Sequence, residues 1–326
     1  MNNSEIILET KNLTIGYGEK VIAQNLNLTA HTNEIICLIG QNGVGKSTLL
    51  RTLSNLQPSL SGDIKIEKKD IKELHPQELA RILGIVTTEK IGASNMTVRE
   101  LVTLGRYPYS NWLGRVSSSD QEKIDQAIAQ CRIDYLADKK VGDLSDGQRQ
   151  KVMIARVLTQ DTKIILLDEP TAHLDLINRA EIMRLLSEIK EKKSIIISTH
   201  ELPLSMQFAD KLWLMNFNQP LISGTPEDLA ISGKINQSFY ENEFEIDVLT
   251  GKVEFQRKTK GTINLKGESS ALLWTRQALE RSGYQIVDDS LKTIEVKLKG
   301  TIIHWSVASN AGTLSGESIQ SLLRQL

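Results

Sequence analysis

The chain carries the stretch Gly40-Gln41-Asn42-Gly43-Val44-Gly45-Lys46-Ser47-Thr48, which fits the pattern G-x-x-x-x-G-K-[ST] of a phosphate-binding loop. An apolar run at 35–39 precedes it and a helical pattern over 48–53 follows it, so the loop joins a buried strand to a helix. Glycines let backbone N–H groups close around phosphate oxygens, and the positive end of a helix attracts the same anion. The stretch therefore predicts a nucleotide site in which Lys46 contacts the β- and γ-phosphates and the Ser47 hydroxyl binds Mg²⁺.

Apolar runs that lack polar alternation recur along the chain, for example at 164–167 and 195–197. Continuous apolar character is typical of strands that are buried on both faces, as in parallel sheets. Helical patterns separate these runs over about 6–225, and this alternation predicts an α/β domain. Residues 90–157 carry few strand signals, so we predict a mostly helical insertion there, with one helix over 120–133.

Two carboxylates, Asp168 and Glu169, follow the apolar run 164–167 directly. A carboxylate at the end of a strand beside a phosphate loop supplies an oxygen that organises Mg²⁺. A second carboxylate next to it can polarise a water molecule, as a general base must. Together with the phosphate loop, the pair predicts nucleotide hydrolysis.

A second candidate anion site begins at Leu144-Ser145-Asp146-Gly147-Gln148-Arg149-Gln150, before a helical pattern that ends near Thr159. Ser145 can cap that helix, which is a purely structural interpretation. Small residues and free N–H groups at a helix start also bind anions. One domain does not normally need two triphosphate cradles, so the second one predicts closure on a nucleotide held by another copy.

Two further residues lie where a nucleotide could meet them. His200 follows the run 195–197, at the sheet edge where ligands bind in α/β folds, but a lone histidine there can equally be structural. Tyr17 sits in the turn Ile15-Gly16-Tyr17-Gly18, which could present the ring to a base, although turn aromatics are common. Both alternatives stay open for each residue.

The composition of the chain excludes some classes of function. It has 39 Lys+Arg against 40 Asp+Glu, a net charge of −1, so bulk electrostatic binding to nucleic acid is not expected. Two cysteines cannot form a disulfide framework, and no apolar stretch reaches the roughly 18–20 residues of a membrane span. Residues 1–10 lack the order of a signal peptide. We therefore expect a cytosolic protein that reaches a membrane only through a partner.

A separate pattern begins at Gly261 and indicates a small α/β domain over 261–326. Its charges nearly balance and its only histidine is His304, so neither nucleic-acid binding nor a metal-sensing site is expected. We hypothesise an accessory domain that aids dimerisation or regulates the rest of the chain, with a passive appendage as the alternative. The predicted order is β-α-β-β-α, with strands at 262–265, 293–298 and 301–307, a helix at 269–282, and a final helix that carries Ile319, Leu322, Leu323 and Leu326.

Taken together, these residues resemble the nucleotide-binding subunit of an ATP-binding-cassette (ABC) transporter. The phosphate loop, the segment 144–148, Asp168-Glu169, Leu174-Asp175 and His200 occur in that family's order. The resemblance covers about residues 5–257. It implies a P-loop NTPase fold with a RecA-like core and a helical insertion, forming an ABC ATP-binding domain over 1–257. It also implies ATP and Mg²⁺ as cofactors, and a head-to-tail homodimer that sandwiches two ATP molecules.

The resemblance assigns a role to each matching residue. Glu169 is implied to be the catalytic base, His200 the γ-phosphate switch and Asp168 a Mg²⁺ organiser. Asp175 is implied to contact the second subunit, and Tyr17 to stack on the adenine. The other residues implied to bind ATP or Mg²⁺ are Gly40, Gln41, Asn42, Gly43, Val44, Gly45, Lys46, Ser47 and Thr48 in one copy, and Ser145, Gly147 and Gln148 in the facing copy.

A narrower resemblance rests on Met96-Thr97-Val98-Arg99-Glu100-Leu101-Val102 and Leu104-Gly105-Arg106-Tyr107-Pro108-Tyr109. These stretches are similar to importer ATPases that serve iron–siderophore, haem and cobalamin uptake. In that group the ATPase is a peripheral subunit on the cytoplasmic side of the inner membrane. It docks on a membrane permease dimer, which receives its substrate from a substrate-binding protein.

The sequence departs from the family pattern at two places. Where the family usually has a Gln that contacts Mg²⁺ and relays to the permease, counting back from Thr97 gives Thr88. The Thr88 hydroxyl could take that role as a metal ligand, or Glu89 could reach in. The second departure is Asp146, which stands where glycine is usual. Since a carboxylate repels phosphate, we expect Asp146 to point outward, toward a basic residue.

Two other functions compete with the metal-chelate importer ATPase. The first is an ATPase of another ABC system, either an exporter or a protein without a transport role. The second is a regulatory nucleotide-binding subunit with little turnover, which the missing Gln and the altered segment 144–148 would favour. The intact Asp168, Glu169 and His200 argue against the second.

Overall fold

The computed structural model describes residues 5–88, 95–110, 116–238, 244–246, 253–255, 259–267, 269–309 and 312–326. The chain divides into two units, Met1–Glu254 and Phe255–Leu326. The strands up to residue 255 are β1 (Ile6–Tyr17), β2 (Lys20–Leu26), β3 (Thr29–His31), β4 (Ile35–Ile39), β5 (Ser61–Ile66), β6 (Lys69–Asp70), β7 (Leu83–Val86), β8 (Ile164–Asp168), β9 (Ser194–Thr199), β10 (Lys211–Leu214), β11 (Ile222–Gly224), β12 (Phe244–Ile246) and β13 (Val253–Phe255). The helices of this part are α1 (Lys46–Leu53), α2 (Pro76–Ile82), α3 (Val98–Thr103), α4 (Ser118–Gln130), α5 (Asp146–Thr159), α6 (Leu176–Lys190), α7 (Leu202–Phe208), α8 (Pro226–Ile231) and α9 (Lys234–Ser238).

The centre of the first unit is a six-stranded sheet in the order β11-β10-β4-β9-β8-β7. Neighbouring strands from β10 to β7 are parallel, and only β11 is antiparallel. Every residue of β4, β8 and β9 is buried, as the continuous apolar runs predicted. The parallel sheet with helices between its strands confirms the predicted α/β class. Because these strands are parallel, their carboxyl ends lie at one edge of the sheet.

An apolar layer covers each face of this sheet, and successive residues of β4 point alternately into one layer and the other. Ile36 and Leu38 belong to a core shared with α1 and with an antiparallel sheet of β2, β1, β5 and β6, to which β3 pairs through β1. Ile35, Cys37 and Ile39 belong to a second core, formed with α6 and the helices of the insertion. The strand that enters the phosphate loop is therefore held from both sides.

The regular elements among the described residues between β7 and β8 are all helices. They are α3, α4 and α5, together with short 3-10 helices that include Leu104–Tyr109. The helix predicted at 120–133 begins at Ser118, where Ser117 caps it, and ends at Gln130. Arg106 ties Leu104–Tyr109 to its surroundings, since Nε donates to Asp120 at 2.7 Å and Nη1 to the Thr159 carbonyl at 2.9 Å.

The second unit is a five-stranded sheet with helices on one face. Its elements are β14 (Gly261–Gly267), α10 (Ser269–Arg281), β15 (Tyr284–Ile286), β16 (Thr293–Lys299), β17 (Ile302–Ser309), β18 (Gly312–Glu317) and α11 (Ile319–Gln325). The strand order is β15-β14-β16-β17-β18. Apolar residues of β14, β16 and β17 form a core with α10 and α11, and Leu322 is fully buried, as the last helical pattern predicted.

The predicted β-α-β-β-α order of this unit was incomplete, because the structure adds the two edge strands β15 and β18. β15 has only three residues, which is too short to show a period-2 pattern. β18 reads GTLSGE and is largely exposed, so no buried face imposes alternation on it. None of the helices in the described ranges is long and apolar enough to cross a membrane.

Gly105 provides a test of how tightly the insertion is packed. A Cβ atom there would lie 2.1 Å from the Arg156 carbonyl oxygen of α5, so we expect Gly105→Ala to lower the free energy of unfolding by about 1–3 kcal/mol. Gly261→Ala is the matched control, because its Cβ would meet only the Tyr284 ring at 3.9 Å. Chemical denaturation of both variants gives the comparison, and equal effects would contradict the packing argument.

Candidate nucleotide-binding site

The loop between β4 and α1 has the backbone that the glycine pattern predicted. Gly45 adopts a left-handed conformation, with φ of 114°, at the start of α1. A Cβ there would also lie 2.4 Å from Ile22 Cγ2, so only glycine fits. Gly43 is likewise left-handed, with φ of 81°, while Val44 is buried and anchors the loop to the core. The exposed Asn42 and half-buried Gln41 complete the turn.

The Lys46 ammonium lies inside this loop, where its side chain is only 5% exposed. Nζ donates to the carbonyl oxygens of Gly40 at 2.8 Å and Gln41 at 3.1 Å, and it lies 3.7 Å from Glu169 Oε1. Burial lowers the Lys46 pKa, an effect that the negative charges of Glu169 and Asp168 oppose. The strand-loop-helix unit thus brings a lysine cation to the end of β8.

Asp168 and Ser47 place two oxygen ligands side by side. The Ser47 hydroxyl donates to Asp168 Oδ1 at 3.0 Å, and the Ser198 hydroxyl donates to the same oxygen. Hydroxyl and carboxylate oxygens are ligands that suit Mg²⁺, so the residues present fit that ion. The β8–β9 register pairs Asp168 with Ser198, which explains why the two side chains meet.

Glu169 has a strained backbone that turns its side chain toward Lys46. Its φ is +46°, a left-handed conformation that costs about 1–2 kcal/mol for a residue with a side chain. The Glu169 N–H donates to both the carbonyl and the hydroxyl oxygen of Ser198, each at 3.0 Å. His200 Nδ1 lies 3.7 Å from Glu169 Oε2. The carboxylate therefore stands between Lys46 and His200, at the edge where the sequence predicted a reaction centre.

Tyr17 approaches the same loop from β1. Its hydroxyl forms a hydrogen bond of 3.1 Å with the Thr48 hydroxyl at the start of α1. The side chain is half exposed, so its ring is available beside the phosphate loop. A contact with a base stays a prediction.

The residues predicted to face a second nucleotide form a separate group at the start of α5. The Ser145 hydroxyl caps α5 by accepting from the Gln148 N–H at 3.3 Å, and the Ser145 N–H donates to the Gln148 side chain at 3.1 Å. The predicted cap by Ser145 is thus confirmed, and the role of Ser145 toward a nucleotide stays a prediction. Asp175 caps α6 through the Asn178 N–H at 2.8 Å, and the Asn178 side chain in turn lies against Gly147.

The two departures from the family pattern have different outcomes. Asp146 is 70% exposed and points to Arg149, with 3.8 Å between Oδ1 and Nη1, which confirms the expected outward orientation. Thr88 is exposed just after β7. The β7–β8 register ends at Val86 and Leu167, so Thr88 lies at the sheet edge beside the strand of Asp168. Glu89 lies outside the described residues.

Two residues at the site escaped the sequence analysis. Ser198 contacts both Asp168 and Glu169, and the signal was present in Ser198-Thr199-His200, where only the histidine was considered. Asn178 packs against Gly147 and bonds to Asp175. No pattern reveals that contact, because it joins the starts of two helices that are distant in the sequence.

A phosphate loop whose lysine faces a carboxylate at the end of a strand in the same sheet is the arrangement of a P-loop ATPase, and this defines the class of the protein. Comparison with known proteins identifies the family within this class. The ABC transporter family profile matches residues 23–172, and the profile of the iron ABC transporter C-terminal domain matches residues 260–326. The chain belongs to the ABC transporter family, as an ATP-binding subunit that hydrolyses ATP.

Individual relatives support this assignment. The chain is 39% identical to the petrobactin import ATP-binding protein FpuD of Bacillus anthracis, covering 73% of this chain and 88% of that protein. It is 34% identical to the ferric enterobactin transport ATP-binding protein FepC of Escherichia coli (strain K12), covering 73% and 89%. Among solved structures, cbiO1 of Clostridium perfringens, part of the transporter complex cbiONQ, matches with a TM-score of 0.63 and 28% identity, covering 73% and 95%.

Ser198 gives a prediction for the site. We expect Ser198→Ala to lower ATP turnover roughly ten-fold while ATP affinity stays close to wild type, because the Asp168 carboxylate loses a hydrogen bond worth about 1.5 kcal/mol or more and the Glu169 N–H loses one of its two acceptors. Steady-state ATPase assays and equilibrium ATP binding measure the two effects. Ser205→Ala removes a buried hydroxyl that bonds to the Glu201 carbonyl at the start of α7 and is the control. A Ser198 variant with wild-type turnover would contradict the role of Ser198 in holding Asp168 and Glu169.

Proposed function

We propose that the chain is the ATP-binding and ATP-hydrolysing subunit of an ABC importer that energises uptake of a metal chelate of the iron–siderophore, haem or cobalamin type. The observation that carries the cargo class is the match of residues 260–326 to the iron ABC transporter C-terminal domain. The names of FpuD and FepC, which refer to petrobactin and ferric enterobactin, support the same class. The stretch Leu104–Tyr109, which is similar to importer ATPases that serve iron–siderophore, haem and cobalamin uptake, supports this class as well.

In the proposed reaction, Glu169 accepts a proton from the water that attacks the γ-phosphorus of ATP. The bond to the leaving ADP oxygen breaks as the new P–O bond forms, which yields ADP and phosphate. Lys46 leaves the loop carbonyls and stabilises the negative charge on the β- and γ-phosphates, and His200 stabilises the γ-phosphate. Ser47 and Asp168 would hold Mg²⁺, which would neutralise phosphate charge when bound.

The two groups of site residues support a homodimer. Lys46, Glu169 and His200 form one group, whereas Ser145 and Gly147 form another at the start of α5. In a head-to-tail pair, the second group of one copy faces the ATP held by the first group of the other. Asp175, exposed at the start of α6, is then placed to contact the partner copy.

The proposed permease contact uses the insertion and the end of β7. Leu104 and Tyr107 are 48% and 73% exposed on a 3-10 helix that Arg81 and Arg106 hold, each stacking on Tyr109. An apolar surface on a rigid segment suits a protein partner. Thr88, or Glu89, takes the role of the missing Gln near Mg²⁺. The subunit then works at the cytoplasmic side of the inner membrane, bound to permease subunits that receive substrate from a binding protein.

The proposed role for residues 261–326 is an accessory domain that helps dimerise or regulate the ATPase. The separate core of this unit, with Ile263, Ile294 and Val296 fully buried, supports an independently folded body rather than a loose extension. The division of the chain into 1–257 and 261–326 belongs to the same proposal.

Glu169 tests the function directly. We expect Glu169→Gln to keep ATP binding, nearly abolish hydrolysis and accumulate ATP-bound dimers, because the amide cannot accept the proton. In vesicles that contain the partner permease, ATP-dependent uptake of a ferric siderophore should fall in parallel. Glu188→Gln, at an exposed ion pair on α6, is the matched control. A Glu169→Gln variant with substantial turnover would show that Glu169 is not the catalytic base. A wild-type chain that hydrolyses ATP in the vesicles but drives no chelate uptake would contradict the proposed cargo.

Truncation after Lys260 tests the second unit. An accessory role predicts weaker dimerisation in the absence of ATP, or a changed basal turnover, while Lys46-dependent ATP binding survives because the loop lies in the first unit. Analytical ultracentrifugation and ATPase assays compare the truncated and full chains. A truncated protein that matches the full chain in both would leave the unit as a passive appendage.

A further inference from the structure

Gly147 sits in a crowded position that its own backbone does not explain. It lies inside the first turn of α5, where any residue can adopt the helical conformation and glycine is disfavoured. A Cβ added to Gly147 would lie 2.7 Å from both Cγ and Oδ1 of Asn178, and 3.3 Å from its Cβ. The close approach of Asn178 therefore requires glycine here.

Asn178 cannot easily move away, because Asp175 holds its side chain. Asn178 donates its backbone N–H to Asp175 Oδ1 at 2.8 Å and its side-chain Nδ2 to Asp175 Oδ2 at 2.9 Å. These hydrogen bonds lower the pKa of Asp175, so the carboxylate stays ionised as their acceptor. The next residue, Arg179, donates through Nε to the Leu174 carbonyl at 2.7 Å. The first turn of α6 is thus locked around the side chain that meets Gly147.

We propose that Asn178 is a positioning residue for ATP hydrolysis: it spaces the start of α6 from the start of α5, so that Gly147 and Ser145 face the partner copy's nucleotide in register with Asp175. This inference rests on the proposed head-to-tail dimer. Asn178 touches no substrate in this role. It acts through Gly147, and a loss of Asn178 in one copy impairs hydrolysis of the ATP that the other copy holds.

The packing part of the proposal is tested by a pair of substitutions. Asn178→Ala leaves a gap and Gly147→Ala creates a collision, and we expect each to lower turnover at least ten-fold, since small misplacements of catalytic groups have effects of that size. In the double variant the methyl group introduced at position 147 takes the space of the missing amide. Its turnover should therefore exceed that of Gly147→Ala alone by about ten-fold or more. A double variant as inactive as Gly147→Ala, or less active, would overturn the proposal.

The direction of the effect is tested in heterodimers of the full chain, in which two tagged copies are co-expressed and purified through both tags. The first copy carries Glu169→Gln, so the remaining turnover comes from ATP held by the second copy and faced by Ser145 and Gly147 of the first. Asn178→Ala in the first copy should abolish most of this turnover, and the same change in the second copy should leave it nearly intact. Equal effects in the two positions would overturn the role of Asn178.

Two controls separate this outcome from other failures. Ser145→Ala, placed in the first copy and then in the second, tests the head-to-tail dimer itself, and a lack of asymmetry there refutes the proposed function rather than the role of Asn178. Arg184→Ala changes an exposed side chain of the same helix, which pairs with Glu188 one turn away, and should have no effect in either copy. Thermal melting of each variant checks folding, and Asn178→Ser replaces Asn178→Ala if the latter unfolds.

Discussion

A cation inside a nearly closed loop is the constraint that organises the first unit. The Lys46 ammonium is 5% exposed, and a buried charge is tolerated only when oxygen atoms surround it. Loop carbonyls supply some of those oxygens, and Glu169 supplies a counter-charge from the end of β8. This requires β4 and β8 to end at one edge with β9 between them, which the parallel register provides.

The same edge forces Glu169 into its left-handed backbone. The strand has to end abruptly for the carboxylate to turn toward Lys46, and two hydrogen bonds from the Glu169 N–H to Ser198 hold the turned peptide. Backbone strain of this kind persists where neighbouring structure fixes it, and it is concentrated at functional sites. Here Ser198 of β9 holds the Glu169 peptide. His200, two residues after Ser198, lies beside the Glu169 carboxylate.

How much of the structure the sequence predicts depends on how local the determinant is. The buried strands, the phosphate loop and the cap at Ser145 follow from short patterns, so they were predicted. The edge strands β15 and β18 were not predicted, because β15 is too short and β18 too exposed to show an alternating apolar pattern. The contact between Gly147 and Asn178 depends on two helix starts that meet only after folding. The outward Asp146 was predicted because electrostatic repulsion constrains it without knowledge of the fold.

The hydrogen bonds from Lys46 to Gly40 and Gln41 also bear on the thermodynamics of ligand capture. Fixing the backbone of one residue costs about 1–2 kcal/mol of conformational entropy. Lys46 exchanges its bonds to Gly40 and Gln41 for phosphate contacts, so this cost is met by contacts that stay in place: Val44 is anchored in the core and Gly45 fits against Ile22. A preorganised receptor of this kind spends little of its interaction energy on ordering itself, and more of it remains for discriminating triphosphate from diphosphate.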